Sequence, residues 1–180
     1  GFDGFISYIA NNSYRVMDGV AWSDIEKTGF EGTDSLFDNS ISTKVLTGPR
    51  CVGAIYQWTY NNGRREFANQ YKITDGNDCN TRHPSGWTIE GSNDNGATWT
   101  LLHGTHNQYF TSYQQTFSYD FYSAVPYNSY RMVVTECNNE AIDWYTAAVC
   151  GGYINMQLAE LGFYATNTPA ACAADGAWGP

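Results

Sequence analysis

The chain has 180 residues, of which 42% are hydrophobic and 16% aromatic, enough for one large core-bearing domain. Its formal charge is −9, and its nine Lys and Arg residues are scattered, with Arg64-Arg65 the one adjacent pair, so no run of basic residues tracks phosphates, which argues against nucleic acid as a partner. No apolar run approaches membrane-spanning length, and a charged fraction of 15% is low for a cytosolic domain.

The first 32 residues alternate short apolar runs with polar breaks and are expected to supply N-terminal strands to the same domain. Phe5–Ile9 and Tyr14–Met17 read as strands. Trp22–Lys27 reads as the opening of a short helix, with Ser23 as N-cap and Glu26 as its capping-box partner. Asn11-Asn12-Ser13 is a glycosylation sequon, which points to a secreted, extracellular protein. The chain opens on Gly1 with neither an initiator Met nor a visible leader, as a processed or excised fragment would.

From residue 33 onward the punctuation is that of an all-β domain. Leu36–Lys44 is a compact loop of oxygen-bearing side chains. Its oxygens suit a calcium site, but by local sequence alone the commoner outcome is an Asx-turn in which Asp38 bonds its own backbone. Ala54–Tyr60 alternates cleanly as a strand, Asn61-Asn62-Gly63 turns, and Tyr71–Thr74 is the next strand. Asp75–Ser85 is a long loop carrying Cys79, Arg82 and His83. Pro84–Leu102 then reads as a hairpin. Trp87 and Ile89 mark one inward face, Trp99 and Leu101 mark the other, and Ser92–Gly96 carries the turn chemistry. Gln114–Phe121 and Tyr130–Thr135 are further strands. Asn138–Gly152 is an Ala-rich insertion centred on Trp144 and Tyr145. Ile154–Tyr164 closes the domain, with a slip in alternation at Ala159-Glu160 that a bulge would produce. Residues 166–180 read as a tail or linker. Many short strands between turns imply a β-sandwich or jelly roll.

Five cysteines without CxxC spacing argue for disulfides over a metal cluster. The tail residue Cys172 is the candidate for a free or intermolecular thiol. The other four allow three pairings, which sequence does not choose between; the expectation taken is Cys137–Cys150 with Cys51–Cys79. Loop aromatics with nearby polar groups are the candidate ligand contacts: Trp22, Arg50, Arg82, His83, Trp144 and Tyr145. The plain structural alternatives are that Trp22 is core and that Arg82 and His83 brace the loop before Pro84. Glu136, Glu140 and Asp143 are the only carboxylate cluster that suggests glycoside hydrolysis, and nothing fixes their separation. His83, His103 and His106 belong to no nucleophile motif. The expectation is a non-enzyme.

Five pieces occur in a telling order: Leu36-Phe37-Asp38 with Ser42-Thr43-Lys44; Tyr71–Thr74; Pro84 with Trp87–Asp94 and Trp99–Leu102; Tyr130–Val134; and Gln157–Leu161. Together, over about residues 30–165, they resemble the discoidin, or coagulation-factor type C, domain family. Those are galactose-binding-like jelly rolls that include many carbohydrate-binding modules. The resemblance implies a jelly-roll sandwich over residues 33–165 and a non-catalytic module that binds a glycan, or another cell-surface or matrix partner, through loops at one end. It also implies a structural calcium held by Asp38, Ser40, Thr43 and Glu160. The sequence departs from the family at that loop: Asn39 and Ser40 stand where Gly and a second acidic residue are usual, and Lys44-Val45 replaces a Trp. An alternative reading is a subunit of an extracellular fibre, coat or matrix that self-assembles through Cys172, the tail and surface aromatics.

Overall fold

A computed structural model describes residues 14–15, 17–25, 31–47, 50–79, 82–138 and 155–165. Eleven strands lie in them. β1 is Tyr14–Arg15, β2 Gly19–Ser23, β3 Val45–Leu46, β4 Ile55–Tyr60, β5 Gln70–Thr74 and β6 Pro84–Ser92. β7 is Thr100–Thr105, β8 Thr116–Asp120, β9 Ser129–Cys137, β10 Gln157–Leu158 and β11 Glu160–Ala165. They form a four-stranded sheet, β1-β11-β5-β8, a five-stranded sheet, β2-β4-β9-β6-β7, and the small pair β10-β3. The pairing is antiparallel throughout. This is the jelly-roll sandwich that the spacing of short strands predicts.

Alternation fills the space between the sheets. Tyr56, Trp58 and Tyr60 of β4, Trp87 and Ile89 of β6, and Tyr130, Met132 and Val134 of β9 point inward. Tyr71 and Ile73 of β5 with Leu161 and Phe163 of β11 meet them from the other sheet. Burying this many rings also buries hydroxyls, which need partners. The Tyr71 hydroxyl takes the Trp87 indole N–H at 2.9 Å and lies 3.0 Å from His103 Nδ1. The Tyr130 hydroxyl donates to the Glu66 carbonyl at 2.7 Å and accepts from Ala68 N–H at 3.0 Å. His103 is therefore a core partner. At Ala159 the chain leaves β3's partner strand and joins β5, with Ala159 N–H bonded to the Thr74 carbonyl, which is the break the slipped alternation foretells.

Four sequence expectations need correction. Trp22–Ser23 is strand, not helix: the Ser23 hydroxyl accepts from Ile25 N–H in a local turn that ends β2. Trp99 does not share the core with Trp87. A bulge between Ile89 and Glu90 shifts the hairpin register, so Leu101 is exposed and Trp99 lies outside the sheet over the Arg131 guanidinium, 4.2 Å from it. The expected strand 114–121 is shortened to β8. Neither expected disulfide forms: Cys51 bonds Cys137, with Cα atoms 6.2 Å apart, and Cys79 is itself disulfide-bonded. The reason is register: β4 and β9 are neighbours, which brings the loop before β4 to the end of β9. Phe5–Ile9, Asn11, Glu140, Asp143, Trp144, Tyr145, Cys150, Cys172 and the tail lie outside the described residues. Among those described, no helix is long and apolar enough to cross a membrane.

Candidate functional site

Strand register decides which loops share an end. Thr74, the last residue of β5, pairs with Glu160 and Thr116, the first residues of β11 and β8. Pro84 opens β6 opposite Cys137, which ends β9, and Thr105 ends β7 beside Trp87. Among the described residues, the segments 38–47, 50–54, 75–79, 82–83 and 106–115 therefore converge on one rim.

The floor of this rim is a buried polar layer. The period-2 series Tyr71, Ile73, Asp75 carries the inner face of β5 one residue beyond the strand, so Asp75 is buried. His83, returning from the same loop, is equally buried; each side chain is 1% exposed and Nδ1 lies 3.8 Å from Asp75 Oδ2. The Asn138 side-chain amide donates to His83 Nε2 at 3.0 Å, so the imidazole proton sits on Nδ1, facing Asp75. The imidazole also packs against Phe110. Among the described residues, no side chain hydrogen-bonds either Asp75 oxygen, and the Gly76 backbone only partly offsets the burial. Burial pushes the Asp75 carboxyl up to about 7 and the His83 imidazole down to about 4. A second cluster lies beside it. Lys44 Nζ donates to Asp78 at 2.8 Å and to the Gln157 side-chain carbonyl at 3.1 Å. Partial burial alone would raise the Asp78 pKa, but the Lys44 bond and charge outweigh it and hold it low. Gly76 makes room here: a Cβ at that position would lie 2.6 Å from the Gln157 side chain.

The residues named as ligand contacts are dispersed. Trp22 is 47% exposed on the outward face of β2, beside Gln57 of β4. Arg50 is exposed and pairs with Asp24, whose other oxygen accepts Ile55 N–H at 2.9 Å. Arg82 closes a turn onto the Cys79 carbonyl, and its own carbonyl accepts Gln157 N–H at 2.8 Å. His83 braces the loop and offers solvent nothing. Tyr109 and Tyr113, two exposed aromatics on the 106–115 loop, went unremarked in the sequence; their signal is an aromatic with no alternating partner on either side. Asn107 N–H donates to Glu136 Oε2 at 3.1 Å, so that carboxylate is committed to the backbone of this loop.

The four residues named for calcium are engaged by partners from the chain itself. Asp38 accepts Ser40 N–H at 2.9 Å and the Thr43 hydroxyl at 2.6 Å, an Asx-turn. Glu160 Oε1 is bonded to Arg15 Nη2 at 2.7 Å. The Arg15 guanidinium places a positive charge on the buried Glu160 carboxylate, which opposes a second cation beside it. Among the described residues, no three His, Cys, Asp or Glu converge on a metal position.

The fold is shared with solved carbohydrate-binding modules. The family 32 module from C. perfringens NanJ in complex with galactose superposes with a TM-score of 0.59 at 16% identity, over 82% of this chain and 93% of that one. A C. perfringens module in complex with GalNAc-β-1,3-galactose gives 0.62 at 14%, over 82% and 95%. The chitosan-binding module 1 of a Paenibacillus sp. IK-5 chitosanase/glucanase gives 0.62 at 15%, over 84% and 99%. No family model matches the sequence. A peptide-N(4)-(N-acetyl-beta-glucosaminyl)asparagine amidase of Arabidopsis thaliana is 37% identical over 72 residues. Those residues are 40% of this chain, and the match spans only about 10% of the amidase.

Proposed function

We propose that this chain is a non-catalytic module of a secreted protein that recognises carbohydrate on its loop rim. The observation that carries the reading is the jelly-roll fold itself, whose solved neighbours were crystallised with galactose and GalNAc-β-1,3-galactose. Two features of the rim support it. Its floor is tied by the Asp75–His83–Asn138 and Lys44–Asp78–Gln157 clusters and by the Cys51–Cys137 bond, so little ordering entropy remains to be lost on binding. Its 106–115 loop carries two exposed rings, Tyr109 and Tyr113, among exposed polar residues such as Ser112. Rings stack on the C–H face of a sugar and polar groups bond its hydroxyls. Trp144 and Tyr145 are assigned to the same surface on sequence grounds. The disulfide fits an oxidising compartment.

A glycan array probed with the purified chain tests this directly. Binding to one coherent group of glycans, with no release of reducing sugar from them, supports the proposal. A folded chain that binds none of them, or that cleaves them, overturns it.

A further inference from the structure

The corner where β1, β11 and the 38–43 loop meet contains a cation supplied by the chain. β1 pairs with β11 so that Arg15 stands opposite Tyr164. Glu160, Gly162 and Tyr164 line one face of β11 by strand periodicity, and the Arg15 side chain runs along that face towards Glu160. Gly162 is what lets it pass: a Cβ there would lie 3.2 Å from Arg15 Cζ, as well as 2.9 Å from the Tyr164 ring. At the end of this lane Nη2 donates to Glu160 Oε1 at 2.7 Å and to the Leu161 carbonyl at 3.1 Å, while Nη1 donates to Asn39 Oδ1 at 3.1 Å. The guanidinium thus reaches both the closing strand and the polar loop. The Arg15 and Glu160 side chains are only 10% and 8% exposed. Burial is the largest influence on Glu160 and raises its pKa; the Arg15 bond and charge oppose it. Asp38 adds negative potential from the loop side.

We infer that Arg15 is the resident cation of the Asp38–Glu160 corner, doing by a charged, planar fork of donors what a divalent ion would do there. The sandwich then folds without calcium. Three observations converge on this: the donor geometry, the passage for Arg15 that the missing side chain of Gly162 leaves, and the bonds that Ser40 and Thr43 give the Asp38 carboxylate. Strand β1, only two residues long, docks on the sheet through this guanidinium as well as through its backbone.

Thermal melts of the intact chain in 5 mM calcium and in excess EDTA test the inference without any mutation. The expected result is the same Tm in both. A Tm higher by roughly 5–10 °C in calcium, the size of effect a saturated structural ion gives a domain of this length, overturns it. A mutant cycle supplies a second arm. Arg15→Ala is expected to lower Tm by on the order of 10 °C, because it strands a buried carboxylate. In the Glu160→Gln background the same change is expected to cost less than half as much. Equal losses in the two backgrounds contradict the assignment. If Arg15→Ala does not fold, Arg15→Lys takes its place: a partial loss of Tm that calcium does not restore supports the inference, and full recovery in calcium refutes it.

Discussion

Asp75 and His83 are buried together, yet their effects on stability are expected to cancel over a wide pH range. The Asp75 carboxyl rises from 3.8 to about 7 on folding. Its contribution is fully present below pH 3.8 and is lost as pH climbs through 7, about 4 kcal/mol in all. The His83 imidazole falls from 6.5 to about 4. Its contribution is fully present above pH 6.5 and is lost as pH drops through 4, about 3 kcal/mol. Between roughly pH 4 and 6.5 one loss grows as the other shrinks. Proton counting gives the same answer: in this window the pair binds one proton in the unfolded chain, as Asp⁻ and HisH⁺. It also binds one in the folded chain, on whichever of the two holds it. Single variants remove the cancellation. Relative to the parent, Asp75→Asn should lose about 3 kcal/mol as pH falls from 6.5 to 4, and His83→Gln should lose about 3 kcal/mol as pH rises from 4 to 6.5. Urea titrations at half-unit pH intervals measure this as the difference between variant and parent. Differences that are flat in both variants would refute the buried-pair account.

Three further outcomes are expected. The Cys51–Cys137 bond spans 86 residues of sequence, for which chain entropy gives a stabilisation of about 4.6 kcal/mol. The Cys51→Ala/Cys137→Ala variant should therefore melt roughly 10–15 °C lower by calorimetry with no thiol added to the parent's Ellman titration, whereas Cys51→Ala/Cys79→Ala, which breaks two bonds, should add two. Trp87→Phe removes the indole N–H bonded to the Tyr71 hydroxyl and opens space in the core. A loss of about 2–3 kcal/mol in denaturant unfolding is expected. Gly91→Ala places a Cβ 2.6 Å from the Tyr127 ring. It should destabilise by about 1–3 kcal/mol and shift the Tyr127 resonances in an NMR spectrum.

The sandwich was legible because its strands obey period-2 alternation at the centre: Tyr56, Trp58 and Tyr60, then Trp87 and Ile89, then Tyr130, Met132 and Val134. Alternation failed where a local irregularity resets the phase. The bulge after Ile89 sends Leu101 to solvent, and no residue type announces it. Capping signals misled at Ser23, whose hydroxyl serves a turn as well as a helix start. Disulfide partners depend on which strands become neighbours, and that is a property of topology. The site was legible in part. The Asp38 turn chemistry is local and could be read, but the cation for Glu160 comes from Arg15, 145 residues away, which no local pattern reveals. Asp75 was missed although it continues the buried series of β5, because a carboxylate after a strand reads by habit as loop.

The claim that the rim is the recognition surface is tested most directly by amide chemical-shift mapping of the isotope-labelled chain against the glycan chosen by the array. Shifts confined to residues 106–115, 75–83 and the neighbouring rim loops, with the opposite hairpin turn at Ser92–Gly96 unmoved, are the predicted result. Shifts centred on that turn or on the outer sheet faces, with the rim silent, would contradict it.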